Sequence, residues 1–368
     1  TTTFSPANSA TSVAVASNIT LTFNEAVRLT NNSALDNSNV DALITLKEDN
    51  ASGADIAFDA TINGGKTVIT INPDSNLSSS QVVYVAIGTS VEDASNNAIN
   101  AANASFTAAD ILAPTMTITS AEVSDGASSN DSTLSMTFTS GEATSNFVVG
   151  DISVSGGALS SFNATSSTIY TATFTPSGDG AKTIDVAGGA FTDSSSNNNS
   201  SATQFNWTYD SSSPTMAITS AEVSDGASSN DSTLSMTFTT SKATSNFVVG
   251  DISVSGGALS SFNATSSTIY TATFTPSGDG AKTIDVAGGA FTDSSSNNNS
   301  SATQFNWTYD SSSPTMAITS AEVSDGASSN DSTLSMTFTT SKATSNFVVG
   351  DISVSGGALS SFNATSST

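Results

Sequence analysis

Neither cysteine nor histidine occurs anywhere in the 368 residues. That excludes a disulfide framework, a thiolate or imidazole metal centre, and a nucleophile of the Ser-His-Asp or Cys-His type. Basic charge is almost missing as well: seven Lys and Arg stand against 32 Asp and Glu, for a formal net charge of −25. Those seven (Arg28, Lys47, Lys66, Lys182, Lys242, Lys282 and Lys342) are scattered along the chain. No basic stripe exists to neutralise phosphates, so neither nucleic acid nor anionic lipid is an expected partner. The acidic surplus suits solubility, repulsion between neighbouring chains, and divalent cations. No apolar run approaches the length of a membrane span, and no membrane insertion is expected of this segment. Hydrophobic content is low, at 36%, with Ser, Thr, Asn, Ala and Gly filling the difference. The apolar residues that remain are patterned, however, and patterned apolar residues bury a core.

What is present is a unit of 100 residues that begins at Pro114 and starts again at Pro214 and Pro314. The copies from Pro214 and Pro314 are identical as far as the chain goes. The copy from Pro114 differs from the next only at Thr117/Ala217, Ser140/Thr240, Gly141/Ser241 and Glu142/Lys242. A period of this length is too long for a solenoid turn and matches a small autonomous domain. The expected organisation is therefore a distinct module over 1–110, repeats over 111–210 and 211–310, and a partial repeat over 311–368. Half a sandwich cannot close its core, so the chain is expected to continue beyond Thr368.

Within the repeat, Leu134, Met136 and Phe138 alternate with Ser135, Thr137 and Thr139. Tyr170, Ala172 and Phe174 do the same before Pro176, as do Ile184 with Val186, and Phe205, Trp207 and Tyr209. With Met116 and Ile118 at the front, Phe147, Ile152 and Val154 next, and Leu159 with Phe162, the count is seven strands. Period-two alternation rich in Thr, Val and Ile argues strand, not helix. The module before it shows the same rhythm at Ile19, Leu21 and Phe23 and at Val68 to Ile71, punctuated by Asn63-Gly64-Gly65 and Asn72-Pro73-Asp74. The fold class is all-β: tandem seven-stranded Ig-like β-sandwiches in a linear array.

Particular stretches carry a family resemblance. ATSNFVVGDISVSGGALSSF, TIYTATFTPSGDGAKTIDVAGGAFTD and DSSSPTMAI make the unit from residue 114 resemble the bacterial Ig-like repeats of giant secreted adhesins and biofilm-associated surface proteins. FSPANSATSVAVASNITLTFNEAV, INPDSNLSSSQVVYVAI and VEDASNNAI make residues 1–110 similar to the bacterial Ig-like module of surface-layer proteins. The resemblance implies an extracellular, cell-surface location. One departure is visible: where the family closes its last loop with Asp-x-x-Gly-Asn, this chain has Asp193 to Asn197 as DSSSN. Loss of that glycine bears on the turn, although Asn tolerates the left-handed conformation well.

Acidic and amide residues gather in loops that an Ig-type topology brings to the two poles of each domain. Asp125, Asn130 and Asp131 fall in the loop after the first strand, and Asp110 and Asp210 in the linkers. Asp193 and Asn197 fall in the loop before the last strand; Asp225, Asn230, Asp231, Asp293, Asn297 and Asp310 are their counterparts in the next copy. Oxygen donors of neighbouring domains thus converge at each junction. Ca²⁺ takes six to eight such oxygens, and the expected cofactor is Ca²⁺ stiffening the interdomain junctions, as the resemblance also implies. The same residues are turn formers that hydrogen-bond their own backbone, and both readings stand at this point. The change from Glu142 to Lys242 and Lys342 either tunes the junction or is drift on a solvated face, and the reading leans to drift.

No two acids are placed on one buried face, and no enzymatic activity is expected. Trp207 and Trp307 lie in phase with core residues and are expected to pack inside. Three roles remain: a stalk segment of a giant cell-surface adhesin that projects a distal adhesive region, a subunit of an extracellular filament, sheath or surface layer, and a direct glycan- or protein-binding module. A reader of ligands gains from diversified loops, whereas a spacer tolerates identity. Identical loops in the last two copies therefore favour spacer or lattice, with neighbouring domains, and like chains in a lattice, as partners.

Overall fold

The computed structural model describes all of residues 1–368 and consists of strands joined by turns, with only short 3₁₀ segments besides. In the first module, β1 (Thr2–Ser5), β2 (Ile19–Phe23), β5 (Phe58–Ile62) and β6 (Val68–Pro73) form one sheet in the order β1-β2-β6-β5. The strands β4 (Ile44–Glu48), β7 (Val82–Ile87) and β9 (Ala102–Thr107) form another, and β3 (Arg28–Leu29) pairs with β8 (Val91–Glu92). Alternation sends Ile19, Leu21, Ile69 and Ile71 of one sheet and Val83, Val85, Ala104 and Phe106 of the other into a single core.

In the first repeat, β10 (Met116–Ser120), β12 (Leu134–Ser140), β14 (Gly157–Ala164) and β15 (Ile169–Pro176) form a sheet in the order β10-β12-β15-β14. The second sheet is β11-β17-β16-β13, made of β11 (Ser128–Ser129), β17 (Phe205–Tyr209), β16 (Gly180–Val186) and β13 (Ile152–Ser155). This is the strand arrangement of an Ig-like sandwich. There are eight strands where the sequence led us to expect seven. The first strand breaks after Ser120, and the chain crosses to the other sheet, where Ser128 and Ser129 run parallel to Thr208 and Tyr209. Two serines carry no apolar alternation, so nothing in the pattern marks them as a strand. The second repeat, β18 to β25 over residues 216–309, repeats the same pairings in the same register. In the third copy β26 (Met316–Ser320) pairs with β27 (Met336–Thr340), while Ile318 and Leu334 are 58% and 42% exposed. Their counterparts in the first copy are covered by β15 to β17, for which the third copy has no residues within the 368.

The core of each complete repeat is organised by rings. Phe147 lies 5.0–6.0 Å from the ring centres of Phe138, Phe162, Tyr170 and Phe191. Trp207 packs edge-on against Phe174 and Tyr209, and both Trp207 and Trp307 are 2% exposed. Phe147 and Phe191 come from loops, and they close the pole at which the chain comes in. Buried polar groups are tied to this closure: the Tyr170 hydroxyl donates to the Thr144 carbonyl at 2.8 Å, and the Asn199 amide oxygen accepts the Phe191 N–H at 2.9 Å.

One loop recurs in all three complete domains. Asp193 Oδ1 accepts the backbone N–H groups of Ser195 and Asn197, each at 2.8 Å, and its Oδ2 accepts Asn197 Nδ2 at 2.9 Å. Asp93 and Asp293 hold 95–97 and 295–297 in the same way. The left-handed residue of this loop is Ser196 or Ser296, both at φ 70°, where the related pattern carries glycine; Asn197 does not take that role. In the first module the position is Asn96, at φ 65°. A serine there bears strain that glycine escapes, only partly offset by the entropy glycine loses on folding.

Two outcomes follow for the first-repeat transition in chemical denaturation. Ser196→Gly is expected to stabilise it by about 0.5–1 kcal/mol. Phe147→Ala, which removes the ring at the centre of the cluster, is expected to cost about 3–5 kcal/mol.

Candidate functional site

The short connection from the first module to the first repeat is built on one carboxylate. Asp110 Oδ1 accepts the Ser79 hydroxyl at 2.7 Å and the Leu112 N–H at 3.1 Å, both on the side of the first module and linker. Its Oδ2 accepts the Ser195 hydroxyl at 3.1 Å, and its carbonyl accepts Asn197 Nδ2 at 3.1 Å, both from the loop of the following repeat. The linker itself is pinned downstream: the Pro114 carbonyl accepts Ser200 N–H at 3.0 Å, and the Thr115 carbonyl accepts Gly141 N–H at 2.9 Å.

Glu142, on the turn after β12, completes the group. One oxygen from each of Asp110, Glu142 and Asp193 lies within 4.8 Å of the others. The three are not alike electrostatically. Bonds from the Ser79 hydroxyl and the Leu112 amide hold Asp110 below the usual carboxylate range. Burial works to raise Asp193, yet the bonds from Asn197 and Ser195 outweigh it and keep that group low. Glu142 is pushed up, first by burial and then by the charges of Asp110 and Asp193, with which it can bond only as the protonated acid. Its Oε2 is buried and has no hydrogen-bond partner. A proton on Glu142, or a cation held among the three oxygens, would relieve that repulsion. Three carboxylates spaced this way suit a hard ion bound by oxygens at about 2.3–2.6 Å, with Ser195, backbone carbonyls and water to fill a shell of six to eight.

The sequence-selected residues divide into distinct groups. Asp110, Asp193 and Asn197 come together at this cluster, joined by Glu142, which composition alone does not single out from other surface acids. Asp125 stands apart: its Oδ1 accepts the Asn206 N–H at 2.6 Å and fastens the loop to the start of β17, as Asp225 does to Asn306 at 2.7 Å. Asp131 and Asp231 accept the hydroxyls of Ser129 and Ser229 two residues back, a local turn. Asn130 is half-buried and Asn230 exposed, each directly after the short parallel strand. Asp210 donates its N–H to the Ser129 carbonyl at 3.1 Å. The adjacent Ser211 bonds through its hydroxyl to Asp179 at 2.8 Å.

In the second repeat the position of Glu142 is Lys242, and it is no bystander on a solvated face. Its ammonium donates to Asp293 Oδ2 at 3.1 Å, to the Ser212 hydroxyl at 2.7 Å and to the Ser212 carbonyl. Asp293 and Asn297 are each 6% exposed, and burial of Asp293 is outweighed by the bonds from Asn297 and Lys242, which keep it low. In the third copy Lys342 bonds to Asp310 and to the hydroxyl and carbonyl of Ser312. That contact, with the Ser312 hydroxyl, holds Asp310 low. The reading of this charge reversal as drift is corrected by these bonds: a sequence shows the change of sign but not where the turn aims the side chain.

Comparison with known proteins adds the family. A bacterial Ig-like domain model matches residues 110–209 and again 210–309, and a second bacterial Ig-like domain model matches residues 1–108. No curated protein matches. Among solved structures, the chain is similar to InvD of Yersinia pseudotuberculosis, at 19% identity and TM-score 0.28, covering 56% of this chain and 62% of that one. It is also similar to domains 1–6 of the surface layer protein SbsC, at 10% identity and TM-score 0.22, covering 92% of this chain and 62% of that one. The mouse nectin-like molecule 4 ectodomain matches at 12% identity and TM-score 0.27, covering 82% of this chain and 96% of its own. With sandwich domains matched in series across residues 1–309, the chain belongs to the bacterial Ig-like domain family.

Proposed function

We propose that this chain is a spacer: a stalk segment of a giant extracellular surface adhesin, carrying a distal adhesive region away from the cell, without enzymatic activity of its own. The observation that carries the reading is the identity of the copies. The loops of the second repeat up to Thr268 recur unchanged in the third, and those beyond it match the first repeat, which favours a spacer over a reader with diversified loops. Function then rests on how each domain is held to the next, and Ca²⁺ at the cluster of Asp110, Glu142 and Asp193 stiffens the first junction. The ion would relieve the repulsion among the three carboxylates and hold the Glu142 turn to the linker, while Ser79 and Ser195 keep Asp110 in place.

A second reading, lateral packing into a filament or surface layer, is favoured by one feature. Val148 and Val149 are 53% and 47% exposed, and Val248, Val249, Val348 and Val349 repeat that apolar pair on each copy. Electron micrographs of the native material, with and without chelator, separate the two. Single unbundled threads in both conditions, bending without Ca²⁺ only at the junction before the first repeat, support the stalk, whereas ordered lateral or helical contacts overturn it in favour of the lattice.

Glu142 also gives the calcium reading a pH signature. Its carboxyl is raised in the fold, so its ionised form is disfavoured there; the resulting cost is present above the folded value and disappears below the unfolded one. In chelator at neutral pH, Glu142→Gln is therefore expected to raise the melting temperature of the first-repeat transition by a few degrees. That gain should vanish once the pH falls below about 4. In Ca²⁺ at about 100 times its dissociation constant the order should reverse, the wild type gaining about 2.7 kcal/mol that the variant largely loses. Calorimetry under the three conditions checks this, and a wild-type transition indifferent to Ca²⁺ rules the ion out.

A further inference from the structure

We propose that Lys242 and Lys342 are tethered cations, whose ammonium groups do in the later copies what a divalent ion does at the cluster of Asp110, Glu142 and Asp193. The divalent half rests on the calcium reading above; the lysine half rests on contacts of its own. Lys242 Nζ reaches Asp293, the counterpart of Asp193, and Lys342 Nζ reaches Asp310, the counterpart of Asp110. Between them the two lysines touch the equivalents of both other carboxylates in the cluster. Each ammonium also takes the carbonyl and hydroxyl oxygens of a linker serine, Ser212 or Ser312, so its neighbours are oxygens, as those of a hard cation are. Exchanging Glu for Lys changes the local charge by two units, the amount a divalent ion brings.

The neighbouring differences between copies point the same way. Of the four positions at which the first two copies differ, three are the consecutive residues of this turn. Ser140 Oγ is buried without a hydrogen-bond partner, whereas the Thr240 hydroxyl donates to the Lys242 carbonyl at 2.6 Å. Gly141 has no side chain to offer, whereas Ser241 Oγ accepts the Thr215 N–H at 2.8 Å. Lys342 is held by the same pair of bonds, from Thr340 and Ser341. All three substitutions add a bond to the linker or to the turn that carries the ammonium. The joint of the first repeat thus follows the free concentration of divalent ions, and the lysine joints do not.

Amide hydrogen exchange of the full chain, in Ca²⁺ and in chelator, tests this at the linkers. In the wild type, residues 212–215 should exchange equally in both buffers, and Lys242→Met should speed them about tenfold in both. Glu142→Lys should make residues 110–115 as slow in chelator as the wild type is in Ca²⁺. Unchanged exchange over 234–240 and 134–140 shows that each variant is folded. The proposal is overturned if Ca²⁺ slows 212–215 in the wild type, if Lys242→Met leaves them unchanged, or if Glu142→Lys leaves 110–115 fast in chelator. Should 110–115 ignore Ca²⁺ in the wild type, the calcium reading falls, and the response to Lys242→Met still decides the role of the lysine.

Discussion

A carboxylate wrapped by its own loop is the constraint around which the turn and linker contacts of each complete repeat are arranged. Asp193 and Asp293 spend their acceptor capacity on two backbone amides and one asparagine side chain from the same five residues. A group so satisfied stays ionised even when it is more than nine-tenths buried, because bonds to the charged form outweigh the loss of water. The loop therefore presents a fixed negative charge beside the linker, and whatever lies opposite must accommodate it. In the first repeat Glu142 does not, and its own ionisation is penalised. In the second, Lys242 does. The same fold thus holds two electrostatic solutions to one geometric problem, differing at three consecutive residues.

Much of the architecture is legible from alternation alone. Leu134, Met136 and Phe138 face inward in the structure as their spacing requires, and so do Tyr170, Ala172 and Phe174. Period two works for these strands because one face is core and the other water. It fails where a buried group sits outside a strand. Phe191 is 1% exposed yet comes from a glycine-flanked loop, and its burial answers to Phe147 across the pole, not to any neighbour in sequence. The short strand Ser128–Ser129 is illegible for the opposite reason, since its residues have no apolar signal to alternate.

The site was legible as a neighbourhood more than as a set of ligands. Topology alone indicates that the linker and the loop before the last strand meet, and Asp110 with Asp193 and Asn197 do meet. It cannot tell which acids also face the linker, which is why Asp125 and Asp131 resemble Asp193 on paper, while in space Asp125 ties its loop to Asn206 and Asp131 bonds to Ser129. Nor does it reveal which side chain on the turn after β12 points at the linker. There the informative signal was the difference between copies. In a chain whose repeats are otherwise almost unchanged, three adjacent substitutions at one turn mark the place where the physical demands on the copies differ.

The parallel pairing of β11 with β17 has a mechanical consequence. The bonds from Gly126 to Asn206, from Thr208 to Ala127 and from Asp210 to Ser129 lie side by side between segments near the two ends of the domain. Segments that run in the same direction and are pulled from opposite ends slide past one another, so tension loads these bonds together in shear. An antiparallel hairpin pulled open at its free ends would instead surrender its bonds one after another. Were the domain pulled from its two ends, these two inconspicuous serines would place the load on the connection between its first and last strands.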